Sequence, residues 1–282
     1  MKLVSFVSGG RASYGALVGD GIVDLGRRLG ARCPTLRAAI AELGAGGLAN
    51  EAKGAAAEFK LSDVTLLPPI PNPDKIICIG LNYRDHAKEA GMKIPENMSL
   101  FSRLTNTLVA HGAPIPRPKV SGDLDYEGEL GVVIEKAGRH IAERDALGHV
   151  FGYTCFNDGS VRDFQLKHSV TAGKNFPATG GCGPWIVTAD EIPDPSRLTL
   201  ITRLNGREMQ HKGTDDMIFG VPAIIAYVSK WTRLEPGDVI ATGTPEGVGF
   251  ARKPPVWMKP GDVVEIDISG IGVLRNPISA EE

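Results

Sequence analysis

The chain has 282 residues, 42% of them hydrophobic and 23% charged, with a formal net charge of −2. Acidic and basic residues are interspersed with no long basic block, so neither a nucleic-acid footprint nor an anionic-membrane surface is expected. No apolar run approaches the roughly 18 residues of a membrane span, and Met1–Val7 turns polar and glycine-rich at Ser8-Gly9-Gly10, so no secretion signal is expected.

Glycine (35) and proline (20) fall as turn punctuation between short β-rich runs, which argues for a sheet-rich body. Cys33, Cys78, Cys155 and Cys182 are far apart and lack zinc spacing. Free thiols in a reducing compartment, and hence a soluble cytoplasmic protein, are the expectation.

In chain order, strands are expected at Lys2–Val7, Ser13–Val18 and Ile22–Leu25, with Asp20-Gly21 as a hairpin turn. Thr35 caps a helix to Leu43 that Gly44 ends, and a second short helix is expected within 44–60, ending near Phe59. Four prolines at 68, 69, 71 and 73 can continue neither helix nor inner strand. They divide a small N-terminal domain, residues 1–70, from a main body, residues 71–282. The main body should hold a strand at Lys75–Ile79, a helix over 82–90 and an aperiodic, mobile loop at 91–99. Strands follow near 130–135, 150–155, 184–188 and 198–204, then a helix over 222–231 and strands at 238–242 and 262–268. The glycine-rich run 243–249 lacks the order of a nucleotide-binding loop.

Three acidic residues stand out. Asp125-Tyr126-Glu127-Gly128-Glu129 runs into the β-branched stretch Leu130–Ile134, and alternation along a strand puts Glu127 and Glu129 on one side. Asp158 follows in Phe156-Asn157-Asp158-Gly159. Carboxylates so close repel unless a hard divalent cation resolves the conflict, because Mg2+, Mn2+ and Ca2+ prefer oxygen ligands. A solvated strand face would give the same Glu-x-Glu pattern. His86 and Glu89 are i,i+3 neighbours on a helix, where a carboxylate orients an imidazole for proton transfer, or where the two form an ordinary surface pair. Arg162 and Gln165 follow Asp158 by four and seven residues, so a helical turn would aim both at its vicinity; Arg162 could instead pair with Asp163 or Asp158. Lys174, on a glycine-flanked loop, could meet an oxyanion or stand in solvent.

Together these segments resemble one family. Gly80-Leu81-Asn82-Tyr83-Arg84-Asp85-His86-Ala87-Lys88-Glu89, Asp125–Leu130, Asn157–Gln165, Gly173-Lys174 and Asp238–Gly249 are similar, in order, to the motifs of the fumarylacetoacetate hydrolase family, over about residues 70–278. Gly159, Val161 and Cys182 depart from its usual pattern, and Gly159 and Cys182 could reshape the pocket.

The resemblance implies an α+β, β-rich fold, a rolled mixed β-sandwich with a few helices after a small N-terminal α+β domain, commonly as a homodimer. It implies Mg2+ or Mn2+ held by Glu127, Glu129 and Asp158. It also implies a 2-oxo or 2,4-diketo acid substrate, with His86 and Glu89 activating water. Lys174, Arg162 and Gln165 would stabilise developing charge, Thr244 would bond the substrate carboxylate, and 91–99 would form part of a lid. The leading expectation is a hydrolase that cleaves a C–C bond in acylpyruvates, in aromatic or sugar-acid breakdown. The same platform serves a 2-oxo acid decarboxylase or a 2-hydroxymuconate-type isomerase, and a third reading is a non-catalytic metal- and acid-binding protein. Pocket selectivity is expected in Ser102, Arg103, Gly159, Met217 and the 91–99 loop.

Overall fold

Hairpin turns at the N-terminus give an antiparallel meander, Lys2–Ser8, Arg11–Val18 and Gly21–Asp24. The computed structural model that shows this describes residues 1–89 and 91–282. Asp24 caps a short helix, Leu25–Leu29, where a strand end was expected. Thr35 caps the next helix, Leu36–Ala52, by accepting from the Ala38 N–H, and Gly44, at φ 62° and expected to end it, instead kinks it. Helix does not continue to Phe59. Gly54 leaves the helical region at φ 70°, and Phe59–Lys60 pairs as a strand with Gly21 and Ile22 while its ring packs edge-on against Phe6.

Among the described residues the largest sheet has 12 strands, its main path running Phe59–Lys60, Gly21–Asp24, Arg11–Val18, Lys2–Ser8, Gly180–Thr188, Val150–Asp158, Gly128–Ile134, Val239–Ala241, Ile76–Gly80 and Ser99–Arg103. Lys2 pairs with Val187 and Leu3 with Ile186, so the N-terminal strands extend the sheet that follows the proline-rich stretch. A second, five-stranded sheet runs Arg207–Gly213, Thr199–Leu204, Val263–Ile268, Gly272–Ala280 and Ile115–Arg117. The fold is α+β and strand-rich, as expected.

Strand Gly128–Ile134 is buried along its whole length. Leu130, Val132 and Ile134 point into the core shared with Leu200, Ile266 and Leu274 of the smaller sheet, whereas Val133 joins the layer of Leu36, Ile40 and Leu48 from the N-terminal helix. A sheet covered on both faces reads as a continuous apolar run, which is why this strand was legible. Gly128 lies tight against Thr202, Ile266 and Leu200 of the smaller sheet. A Cβ there would lie 2.2 Å from Thr202 Oγ1, so Gly128→Ala is expected to cost about 1–3 kcal/mol by overpacking, measured by urea denaturation.

Candidate active site

Pairing of Gly128 with Asn157 and Glu129 with Phe156 sets the acidic residues side by side at the end of two central strands. The Asp158 N–H donates to the Glu127 carbonyl at 2.9 Å, and the Glu127 N–H donates to Asn157 Oδ1 at 3.0 Å. Carboxylate oxygens of Glu127, Glu129 and Asp158 lie within 4.8 Å of one another, all three residues buried.

Three cations surround the triad. Lys174, at the end of a short helix capped by Ser169, donates to Glu127 Oε2 at 2.7 Å and to Asp158 Oδ2 at 2.6 Å. Arg162 opens helix Arg162–Lys167; its Nη2 lies 2.6 Å from Glu127 Oε1 and 2.8 Å from Asp125 Oδ2, and its Nη1 donates to Gln165. Arg103 donates to Asp158 Oδ1, the Gly159 carbonyl, Thr107 and Thr179. Asp125 accepts from the Gly249 and Phe250 N–H groups, which ties the glycine-rich loop to Arg162.

The carboxyls are not equivalent. Burial favours the neutral form of Glu127, but Lys174 and Arg162 outweigh it and hold the group down to about 2. Glu129 has no such partner. Burial, then the Asp158 and Glu127 charges, push it well above the usual carboxylate range, against the more distant Lys174 charge and one Gly243 N–H at 2.8 Å. Lys174 is held above the ordinary lysine value because Asp158 and Glu127 overcome the effect of burial. The cluster is short of positive charge at Glu129, and three clustered hard oxygens fit Mg2+ or Mn2+. A second acidic group, Asp85, Asp216 and Glu246, is already met by Lys212, which pairs with Asp85 and Glu246.

A cavity of about 250 Å³ opens onto this cluster, lined by Glu127, Glu129, Arg162, Gln165, Lys174, Thr244 and His86 among others. His86 Nδ1 is 3.3 Å from Glu89 Oε2, and both Glu89 oxygens accept from the Gly247 N–H. Their helix, Arg84–Glu89, starts two residues later than expected. Tyr83 instead bridges to Met217, and the Asn82 side chain is clasped by Thr242 and Phe219. Ala90, the expected last residue of that helix, lies outside the described residues. Leu81, just before the clasp, adopts φ 54°.

Of the residues expected to set selectivity, Met92 and Ser99 line the cavity, whereas Ser102, Arg103, Gly159 and Met217 do not. A Cβ on Gly159 would sit 2.1 Å from the Thr179 carbonyl, so this glycine answers to backbone packing. Cys182 is buried in the sheet opposite Phe156. Gln210 passed unnoticed in the sequence, and Arg103 was expected to set selectivity rather than to hold a carboxylate. Arg103 holds Asp158, and Gln210 takes donors from Gly128 and Thr202 while donating to Thr244 Oγ1 and the Pro245 carbonyl. Both act through partners distant in sequence, and neither sits in a motif.

Strand-rich α+β architecture and a buried carboxylate cluster beside a cavity that His86 also lines define an enzyme-like pocket. Residues 75–279 match the family described as fumarylacetoacetate (FAA) hydrolase, C-terminal. The chain belongs to the fumarylacetoacetate hydrolase family. It is 46% identical over 225 residues to the oxaloacetate tautomerase YisK of Bacillus subtilis, covering 78% of this chain and 75% of that protein. It is 44% identical over 220 residues to the mitochondrial oxaloacetate tautomerase fahd2 of Xenopus laevis, covering 77% and 69%. A solved maleylpyruvate hydrolase from Sphingobium sp. SYK-6, in complex with manganese(II) and pyruvate, is similar over 100% of both chains, with a TM-score of 0.79 and 30% identity. Among the described residues, no helix is long and apolar enough to cross a membrane.

Proposed function

We propose that the protein is a divalent-metal-dependent keto–enol tautomerase that moves a proton at C3 of a bound 2-oxo acid. The observation that carries this reading is that His86, which Glu89 meets at Nδ1, lines the same cavity as Glu127 and Glu129 of the carboxylate triad. Relatives named as oxaloacetate tautomerases favour proton transfer over the expected C–C hydrolysis.

Glu127, Glu129 and Asp158 would hold Mg2+ or Mn2+, which when bound supplies a Lewis acid and a template for a 2-oxo carboxylate. Glu89, fixed by the Gly247 N–H, orients His86 through Nδ1 and leaves Nε2 to take a proton from C3 or return it. Thr244 Oγ1 accepts from Gln210, so its own hydroxyl proton is available to a substrate carboxylate. Lys174 and Arg162 keep positive charge beside the oxygen on which the enolate's charge gathers. A non-catalytic binding protein would need no such oriented base. The reading carries with it a homodimer, as the resemblance implies, and a cytoplasmic location, since four buried free thiols fit a reducing compartment.

Hydrolysis of acylpyruvates is the second reading, favoured by the pyruvate-bound maleylpyruvate hydrolase; there His86 would activate water instead. Incubation with Mg2+ or Mn2+ and oxaloacetate, acetylpyruvate or fumarylpyruvate separates them. Exchange of C3 protons into D2O without release of a second acid supports the tautomerase, and acid release from the acylpyruvates replaces it with the hydrolase. Chelator is expected to abolish turnover and excess Mg2+ or Mn2+ to restore it. His86→Ala is expected to lower kcat by about 10²–10⁴-fold, with divalent-ion affinity by calorimetry unchanged.

A further inference from the structure

Arg252 is a half-buried cation that no carboxylate among the described residues meets, and its donors go to neutral oxygens. Nε is shared between Tyr126 Oη at 3.2 Å and the Gly247 carbonyl at 3.3 Å, and Nη2 donates to the Met209 carbonyl at 2.6 Å. Tyr126 Oη itself donates to the Gly247 carbonyl at 3.1 Å. A guanidinium held without a counter-charge contributes its rigid fork of donors, which a lysine cannot reproduce.

What this fork joins are the two halves of the site. Tyr126 stands between Asp125, which accepts from Gly249 and Phe250, and Glu127 of the triad. Gly247 gives its N–H to Glu89, at 3.0 and 3.1 Å from the two carboxylate oxygens. With φ 95°, and a Cβ site only 2.3 Å from the Met209 carbonyl oxygen, Gly247 lies hard against strand Arg207–Gly213 where Arg252 pins it. A continuous run of contacts therefore leads from the triad strand through Tyr126, Arg252, Gly247 and Glu89 to His86 Nδ1. Ala87 is the only buried residue of helix Arg84–Glu89, so packing holds that helix weakly. Arg84 and Asp85 fasten its first turn to the Met217 carbonyl and Lys212, and Glu89 fastens its last.

Resting on the reading of His86 as the group that moves the proton, we propose that Arg252 is a positioning residue. Through its fork on Tyr126, Gly247 and Met209 it sets where Glu89, and with it the imidazole, stands relative to the carboxylate triad. A base misplaced by about 1 Å can cost on the order of 100-fold in rate.

A double-mutant cycle with Glu89 on the full-length, Mg2+-loaded protein tests this, with C3-proton exchange of oxaloacetate into D2O as the rate. Mn2+ affinity by calorimetry, and amide hydrogen exchange over residues 84–89 in the metal-free protein, are the readouts besides activity. Arg252→Met is expected to lower kcat by about 10–100-fold, with KM and Mn2+ affinity within about twofold of wild type. Arg252→Lys, which keeps the charge and loses the fork, is expected to lose about as much. In a Glu89→Ala background the same Arg252→Met change is expected to alter kcat by less than about twofold, because the link is already cut. Amide exchange over 84–89 is expected to quicken in Arg252→Met. Should that variant fail to fold, Tyr126→Phe, which removes only the hydroxyl on Gly247, carries the same cycle with a smaller loss. Wild-type kcat in Arg252→Met or Arg252→Lys overturns the proposal. So does an undiminished further loss on top of Glu89→Ala, a fall in Mn2+ affinity that matches the fall in kcat, or unchanged amide exchange over 84–89. A wild type that exchanges no C3 proton but releases acid from fumarylpyruvate removes the tautomerase reading alone, and the same cycle is then decided on acid release. A wild type with neither activity removes both.

Discussion

Glu129→Gln is expected to stabilise the protein in the presence of chelator and to cripple it as an enzyme. Glu129 is the one triad member with no cationic partner, and burial with two neighbouring carboxylates disfavours its charge. The amide keeps an oxygen to accept the Gly243 N–H, so the bond at 2.8 Å survives while the repulsion goes. Removing a poorly compensated buried charge should gain about 1–3 kcal/mol, read as a higher urea midpoint in chelator. Divalent-ion affinity should fall by at least about 100-fold, since even groups that merely orient metal ligands cost 10–100-fold when lost. A variant that is destabilised in chelator, or that binds Mn2+ as tightly as wild type, would remove Glu129 from the triad.

Lys174→Met should do the opposite to stability. Its ammonium is the shared partner of Glu127 and Asp158, and the side chain is 3% exposed. Taking one member from a buried ion cluster leaves the others uncompensated, at a cost of about 3–5 kcal/mol. Excess Mg2+ should recover part of that loss, because a dication at the triad replaces the missing charge. Turnover should remain low even then, since the lysine also faces the cavity. Combining the two substitutions should give a stability change well short of the sum, as expected for groups in one charge network.

Much of this site was legible because its chemistry is local in sequence. Glu127 and Glu129 are two residues apart on an apolar strand, His86 and Glu89 share a helix face, and Arg162 and Gln165 share the next. Central strands were legible too, since burial on both faces leaves a continuous apolar run. Strands Ser99–Arg103, Arg207–Gly213 and Gly272–Ala280 were not expected: two lie at sheet edges, and all three mix charged or polar residues with apolar ones. Arg103 and Gln210 stand on two of these, so Arg103, expected to set selectivity, was not placed on Asp158, and Gln210, which orients Thr244, went unseen. The expected helix reaching Phe59 failed for a related reason. A two-residue strand held by partners at Gly21 and Ile22 leaves no periodic trace.

Leu81 gives the joint before the His86 helix a particular mechanical character. A leucine wound into the left-handed region sits about 1–2 kcal/mol above its preferred backbone, and here the grip of Phe219, Thr242 and Ile218 on Asn82, with the bridge from Tyr83 to Met217, holds the turn. The turn therefore resembles a wound spring with its catch on a neighbouring segment. A substitution that freed Asn82 from residues 217–219 would remove what offsets that strain, two residues before the helix that holds His86.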